Sequence, residues 1–190
     1  MAINRSPVMT VEDYFAWELL QERKHEYIDG VVIEMPGVSN KHDAITVNII
    51  YLFIGCLDRL RFYLRTAELR VQVSPSRYVY PDLTIVYGRP SFADASNYNL
   101  INPYVVLEVT SPTSINRDRQ EKLEYYYDVP SIEACLIVDQ HRHNAELYER
   151  GASGWKRQVF TETEEIIPLA MLDCELPLAE IYRGIEFEAR

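Results

Sequence analysis

Hydrophobic positions change their spacing several times along the chain, and each change marks a predicted element. Val11, Tyr14, Phe15 and Leu19 fall on one helical face, and Thr10 with Asp13 has the form of a capping box, which predicts a helix to about Arg23. The run from His25 to Ile33 reads as two short strands around Asp29-Gly30, the dipeptide most suited to a tight hairpin. Ile45, Ile49, Leu52, Phe53, Cys56 and Leu60 recur at the 3.6-residue period, predicting a long helix capped by Asn40 and running to about Arg61. Residues Phe62 to Val73 alternate and predict a strand. Leu83 to Tyr87, Tyr104 to Leu107 and Ala134 to Val138 are short apolar runs, expected of central strands buried on both faces.

Between the first two of these runs, Gly88 to Asn102 is polar and irregular, a predicted surface loop. Ser114 is placed to cap a helix to about Asp128, and Ala145–Glu149 and Trp155–Phe160 flank Gly151 and Gly154 as a hairpin. The tail holds a short strand at Ile166–Leu169 and a short helix at Leu178–Tyr182. The order α, ββ, α, βββ, α, βββ predicts a mixed α/β (α+β) sheet flanked by helices. No phosphate-binding glycine loop is present, which argues against a nucleotide-binding doubly wound fold.

Length and composition narrow the class. With 190 residues, 47% hydrophobic and 25% charged, the chain suits one packed domain, with a core over about residues 10 to 160 and an extension over 161 to 190. No apolar run is long enough to span a bilayer, and the N-terminal stretch lacks the apolar centre of an export signal. Cys56, Cys135 and Cys174 are odd in number, widely spaced and in apolar surroundings, which predicts buried free thiols and a reducing, cytoplasmic location. A net charge of −10 gives no long-range attraction to nucleic acid, although carboxylates that hold a metal ion reverse their local field once it binds.

Two carboxylates stand out by position. Asp82 opens an apolar strand directly after Pro81, and Glu108 closes the next one. Acids in such surroundings are normally paired or metal-bound. If the strands are neighbours, they bring hard oxygen donors together, a set suited to Mg²⁺ or Mn²⁺. The other reading, that each acid ends a strand and meets solvent, has equal standing on spacing alone. His141 and His143 have no third ligand nearby, so zinc is not expected. Ser74-Pro75 and Ser111-Pro112 read as turns, and Tyr125, Tyr126 and Tyr127 as packing residues, since consecutive helical positions cannot face one ligand. Arg59, Arg61, Arg65 and Arg70, and Arg117 with Arg119, are interrupted by other residue types and read as solvated faces.

Tyr80-Pro81-Asp82 followed by Glu108-Val109-Thr110 resembles the PD-(D/E)XK nuclease superfamily. Glu26-Tyr27-Ile28-Asp29-Gly30, His42, Glu108-Val109-Thr110-Ser111-Pro112, Asp118 with Lys122 and Tyr126, and Val138-Asp139 are together similar to the bacterial Uma-two family of restriction-endonuclease-like proteins. The resemblance implies that Asp82, Glu108 and the Val109 carbonyl hold Mg²⁺ or Mn²⁺, and that the chain hydrolyses phosphodiester bonds, with DNA as substrate and a homodimer as the working form. The superfamily's lysine would stand at position 110, which is Thr110 here. Lys122 is the candidate replacement, and the alternative for it is a surface pair with Asp118. Glu26 is either a further metal-site acid or a water-orienting carboxylate, or else a polar residue of an edge hairpin. His42 either faces the site or simply starts its helix. The first hairpin and residues Gly88 to Asn102 are expected to border the groove. The competing reading is a binding module that keeps the fold and has lost the reaction, and a third is a structural assembly protein.

Overall fold

A computed structural model describes residues 8–110 and 118–187. In chain order its elements are α1 (Val11–Glu18), β1 (His25–Ile28), β2 (Val31–Glu34), α2 (Asn40–Cys56), β3 (Phe62–Thr66), β4 (Arg70–Ser74), β5 (Arg77–Val79), β6 (Leu83–Tyr87), β7 (Asn99–Leu100), β8 (Val105–Thr110), α3 (Asp118–Tyr127), β9 (Ala134–Asp139), β10 (Ala145–Gly151), β11 (Gly154–Phe160) and β12 (Ile166–Leu169). A 3₁₀ turn (Ala170–Leu172), β13 (Cys174–Pro177) and α4 (Leu178–Ile181) complete the described chain.

Local chemistry explains most of the boundaries. Thr10 caps α1 by accepting from the Asp13 N–H, and its hydroxyl donates to the Asp13 carboxylate. The helix ends at Glu18, short of Arg23, and the Glu18 carboxylate instead takes the His25 N–H at 2.8 Å. Asp29 (φ 49°) and Gly30 (φ 91°) both lie in the left-handed region, the backbone of a two-residue hairpin turn, and pair β1 with β2. Ser39, not Asn40, caps α2 by accepting from the His42 N–H. That helix stops at Cys56, because Leu57 is extended and the Asp58 carboxylate takes the Leu60 N–H in a turn, so Leu60 is exposed rather than on the apolar face. The expected strand over 62–73 is two strands broken at 67–69 that enter different sheets. Ser114, the expected cap of the third helix, lies outside the described residues.

The strands form a six-stranded sheet, β11-β10-β9-β8-β6-β3, a five-stranded sheet, β2-β1-β5-β4-β7, and the pair β12-β13. In the larger sheet β8 and β9 are parallel and the other pairs antiparallel, so it is mixed. Alternation along its central strands supplies two cores. Leu83, Ile85, Leu107, Val109, Leu136 and Val138 face α2. Val86, Val106, Cys135 and Ile137 face the smaller sheet and α3. Their burial on both sides accounts for the unbroken apolar runs in the sequence. The chain after Phe160 joins the α2-side core through Ile167, Leu176 and Ile181. Cys56 and Cys174 are disulfide-bonded and only Cys135 is a buried free thiol, which corrects the expectation of three free cysteines. No helix among the described residues is long and apolar enough to cross a membrane.

Candidate functional site

The antiparallel register of β6 and β8 pairs Leu83 with Leu107, and one further step sets Asp82 across from Glu108. Pro81 has no N–H to give a ladder, so β6 parts from β8 here and the two carboxylates sit where the strands part; Glu108 does not close its strand as expected, since β8 runs on beside β9 to Thr110. Asp82 is held through one oxygen, Oδ2, which accepts from the Val109 N–H at 2.7 Å and lies 3.1 Å from Nε2 of His42. Glu108 projects to the same face of β8 as Val106 and meets α3, where Lys122 and Tyr126 stand one turn apart. Lys122 Nζ lies 3.2 Å from Glu108 Oε1 and 2.9 Å from Glu26 Oε1, and the Tyr126 hydroxyl donates to Glu108 Oε1. Glu26 Oε1 also accepts the Tyr80 N–H at 3.3 Å, tying β1 to the Tyr-Pro-Asp turn. Five segments distant in sequence thus converge: β1, the start of α2, the start of β6, the end of β8 and α3.

The charges in this pocket are unequal. Burial pushes the Glu108 carboxyl up to about 7; Lys122 pulls it down, the charges of Asp82 and Glu26 add to the rise, and the Tyr126 hydrogen bond opposes it. Burial disfavours charge on Lys122, but Glu108 and Glu26 hold its ammonium well above the ordinary lysine range. Burial likewise works against charge on His42, yet the bond to Asp82, with the charge of Glu108 and the Val109 backbone, raises its pKa.

Every residue expected at the site, Glu26, Asp82, Glu108, Val109 and Lys122, lies in this one cluster, with His42 on its α2 side. The side chain of Asp118, the alternative partner of Lys122, lies outside the described residues. The Thr110 hydroxyl points along the sheet to the Val138 carbonyl, at 3.5 Å, and supplies no cation. Tyr126 reads in the sequence both as a packing residue and, with Asp118 and Lys122, as part of the family pattern; its place four residues after Lys122 is what sets it on the site's side of the helix. Tyr127 stacks on Trp155 and Tyr125 lies beneath Arg77, so the three tyrosines do point in separate directions. Arg70 is not on a solvated face: it is buried against the rings of Tyr14 and Phe15. His143 packs edge-on against Tyr182 and Phe187. The first hairpin contributes Glu26, whereas the segment from Gly88 to Asn102 springs from the end of β6 opposite Asp82.

A Uma2 family profile, described as "Putative restriction endonuclease", matches residues 11–179. The chain belongs to this family. Two relatives in Synechocystis sp., named as uncharacterized proteins sll1609 and slr1290, are 26% identical over 79% of this chain and 85% of theirs, and 28% identical over 95% of each. A crystal structure described as a "putative nuclease belonging to DUF820 from Anabaena variabilis" superposes with a TM-score of 0.77, covering 94% of this chain and 99% of that one, at 17% identity. At that identity the likeness is one of fold.

These residues can be tested against the metal that the resemblance to PD-(D/E)XK nucleases implies. Among the described residues no three His, Cys, Asp or Glu side chains form a ready-made metal cage. Two carboxylates and a peptide carbonyl are a different set, and its chemistry fits. All the donors are hard oxygens. Among the described residues Oδ1 of Asp82 and Oε2 of Glu108 make no hydrogen bond. Three acids against Lys122 and His42 leave room for added positive charge.

Proposed function

We propose that this Uma2 domain is a divalent-metal-dependent endonuclease that hydrolyses phosphodiester bonds, with DNA as its substrate and Mg²⁺ or Mn²⁺ as its cofactor. The observation that carries the reading is the convergence of Asp82 and Glu108 where β6 parts from β8, with a half-buried lysine against one of them. Asp82, Glu108 and the Val109 carbonyl would hold the ion. The ion, when bound, supplies Lewis acidity toward the phosphate and a water acidic enough to attack it at neutral pH. Lys122 takes the part of the lysine missing at Thr110: its ammonium, kept charged by Glu26 and Glu108, stabilises negative charge that develops on the phosphate. Glu26 positions Lys122 and, through the Tyr80 N–H, fixes the turn that carries Asp82. A pair of such domains would cut both strands, so the working form is a homodimer. A cytoplasmic location follows from the substrate rather than from the thiols, since Cys56 and Cys174 are bonded.

Two observations favour the second reading, a binding module without activity: Thr110 places no cation beside Glu108, and the chain carries a net charge of −10. Incubating plasmid and single-stranded DNA with the protein in Mn²⁺ or Mg²⁺ separates the two readings. The enzyme cleaves in the presence of metal, and cleavage is lost in Lys122→Met. A protein that retains DNA without cutting it in either metal is the binding module.

A further inference from the structure

We infer that His42 is a positioning residue for Asp82, clamping one carboxylate oxygen so that the other is presented to a divalent cation; this rests on the metal-site reading above. Three observations lead to it. The ring of His42 lies 3.1 Å from Oδ2 of Asp82, and the Val109 N–H reaches that same oxygen at 2.7 Å, so Oδ2 is held from two sides while Oδ1 has no hydrogen bond among the described residues. The contact is sheltered: the side chains of His42 and Asp82 are 12% and 13% exposed, which sets it apart from a solvent-screened surface pair. The ring is also carried on a fixed support. α2 is capped at Ser39, buried along Ile45, Ile49 and Phe53, and tied to the strand end by the bond from Ser39 to Gln140.

Physical chemistry says what the clamp is for. Asp82 lies beyond the last ladder pair of β6, so the sheet itself does not orient its side chain. Lys122 attracts it as well as Glu26 and Glu108. Without a donor on the α2 side, the Asp82 carboxylate is free to turn toward that ammonium and join the Glu26–Lys122–Glu108 cluster, with both oxygens engaged. His42 and the Val109 N–H hold it away. The ring meets no reacting atom in this role; it acts through Asp82, as partners behind metal ligands do elsewhere.

Calorimetric titration with Mn²⁺ alone tests the inference, with no nucleic acid and no turnover required. His42→Leu keeps apolar bulk and loses the donor, while His42→Gln keeps an N–H donor. The wild type is expected to bind Mn²⁺, His42→Leu to bind it about 10- to 100-fold more weakly with its circular dichroism unchanged, and His42→Gln to recover most of the loss. A folded His42→Leu that binds Mn²⁺ as the wild type does overturns the positioning role and leaves the metal site standing. If His42→Leu does not fold, the Gln variant decides: affinity near wild type supports the role, and a loss as large as that of Asp82→Ala overturns it. A wild type that binds no Mn²⁺ overturns the metal-site reading and this inference with it.

Discussion

The ammonium of Lys122 lies 2.9 Å from the carboxylate of Glu26, although one sits on a helix late in the chain and the other on the first strand. This pair holds α3 against β1 and fixes the height of the lysine above Glu108. Lys122→Met is therefore expected to lower DNA cleavage by about 10²- to 10³-fold, the cost of losing one preorganised charge-stabilising group. Mn²⁺ binding should survive, because the lysine is no ligand. Parallel cleavage assays and metal titrations check both halves.

Glu108 makes the stability of the metal-free protein depend on pH. Its carboxyl rises from 4.5 in the unfolded chain to about 7 in the fold, so the fold holds the proton more tightly. The stability this contributes is fully present below about pH 4.5 and lost as pH rises through about 7. Urea denaturation in a chelator should show lower stability at about pH 8 than at about pH 5 from this group, and Glu108→Gln should flatten that difference.

Tyr126 opposes that rise by donating to the ionised carboxylate. Tyr126→Phe should push the Glu108 pKa still higher, and so shift the pH at which Mn²⁺ begins to bind upward, because the cation requires the ionised acid. The loss of a buried hydrogen bond to a charged group should also cost about 1.5–3 kcal/mol of stability. Metal titrations across a pH series, with denaturation of the same variant, measure the two effects.

The disulfide belongs to the fold and not to the site. Cys56 ends α2 while His42 stands in its first turn, about 21 Å away along the helix. Cys56 and Cys174 are 118 residues apart in sequence, and closing a loop of that length stabilises by about 4–5 kcal/mol in the chain-entropy account, with measured bonds more often at about 2–4. Cys174→Ser should lower the melting temperature by several degrees and leave Mn²⁺ affinity unchanged, as thermal melts with and without metal would show.

What was legible in the sequence divides along physical lines. Short apolar runs are enough for the buried strands, because Leu83–Tyr87 and Ala134–Asp139 are covered on both faces along nearly all their length. The Asp29-Gly30 turn followed from backbone chemistry. Asp82 and Glu108 were visible as acids out of place. What remained hidden depended on meetings between remote segments. The break at 67–69 sends β3 and β4 into different sheets, and nothing local announces that. Cys56 and Cys174 looked like isolated apolar positions until the chain after Phe160 folded back across α2. Arg70 reads as a surface residue in the linear chain, and its aromatic surroundings come from α1. Lys122 stands out in the sequence as the candidate for the cation that Thr110 lacks, but its contacts with Glu26 and Glu108 depend on α3 lying against β1 and β8.

Calorimetric Mn²⁺ titration of the wild type, Asp82→Ala and Glu108→Ala tests the central claim most directly, because it assumes no substrate. The account predicts binding in the micromolar-to-millimolar range by the wild type and its loss in both variants while each remains folded. Binding that persists in both variants would contradict it, since Asp82 and Glu108 would then not be the joint metal site on which the nuclease mechanism depends.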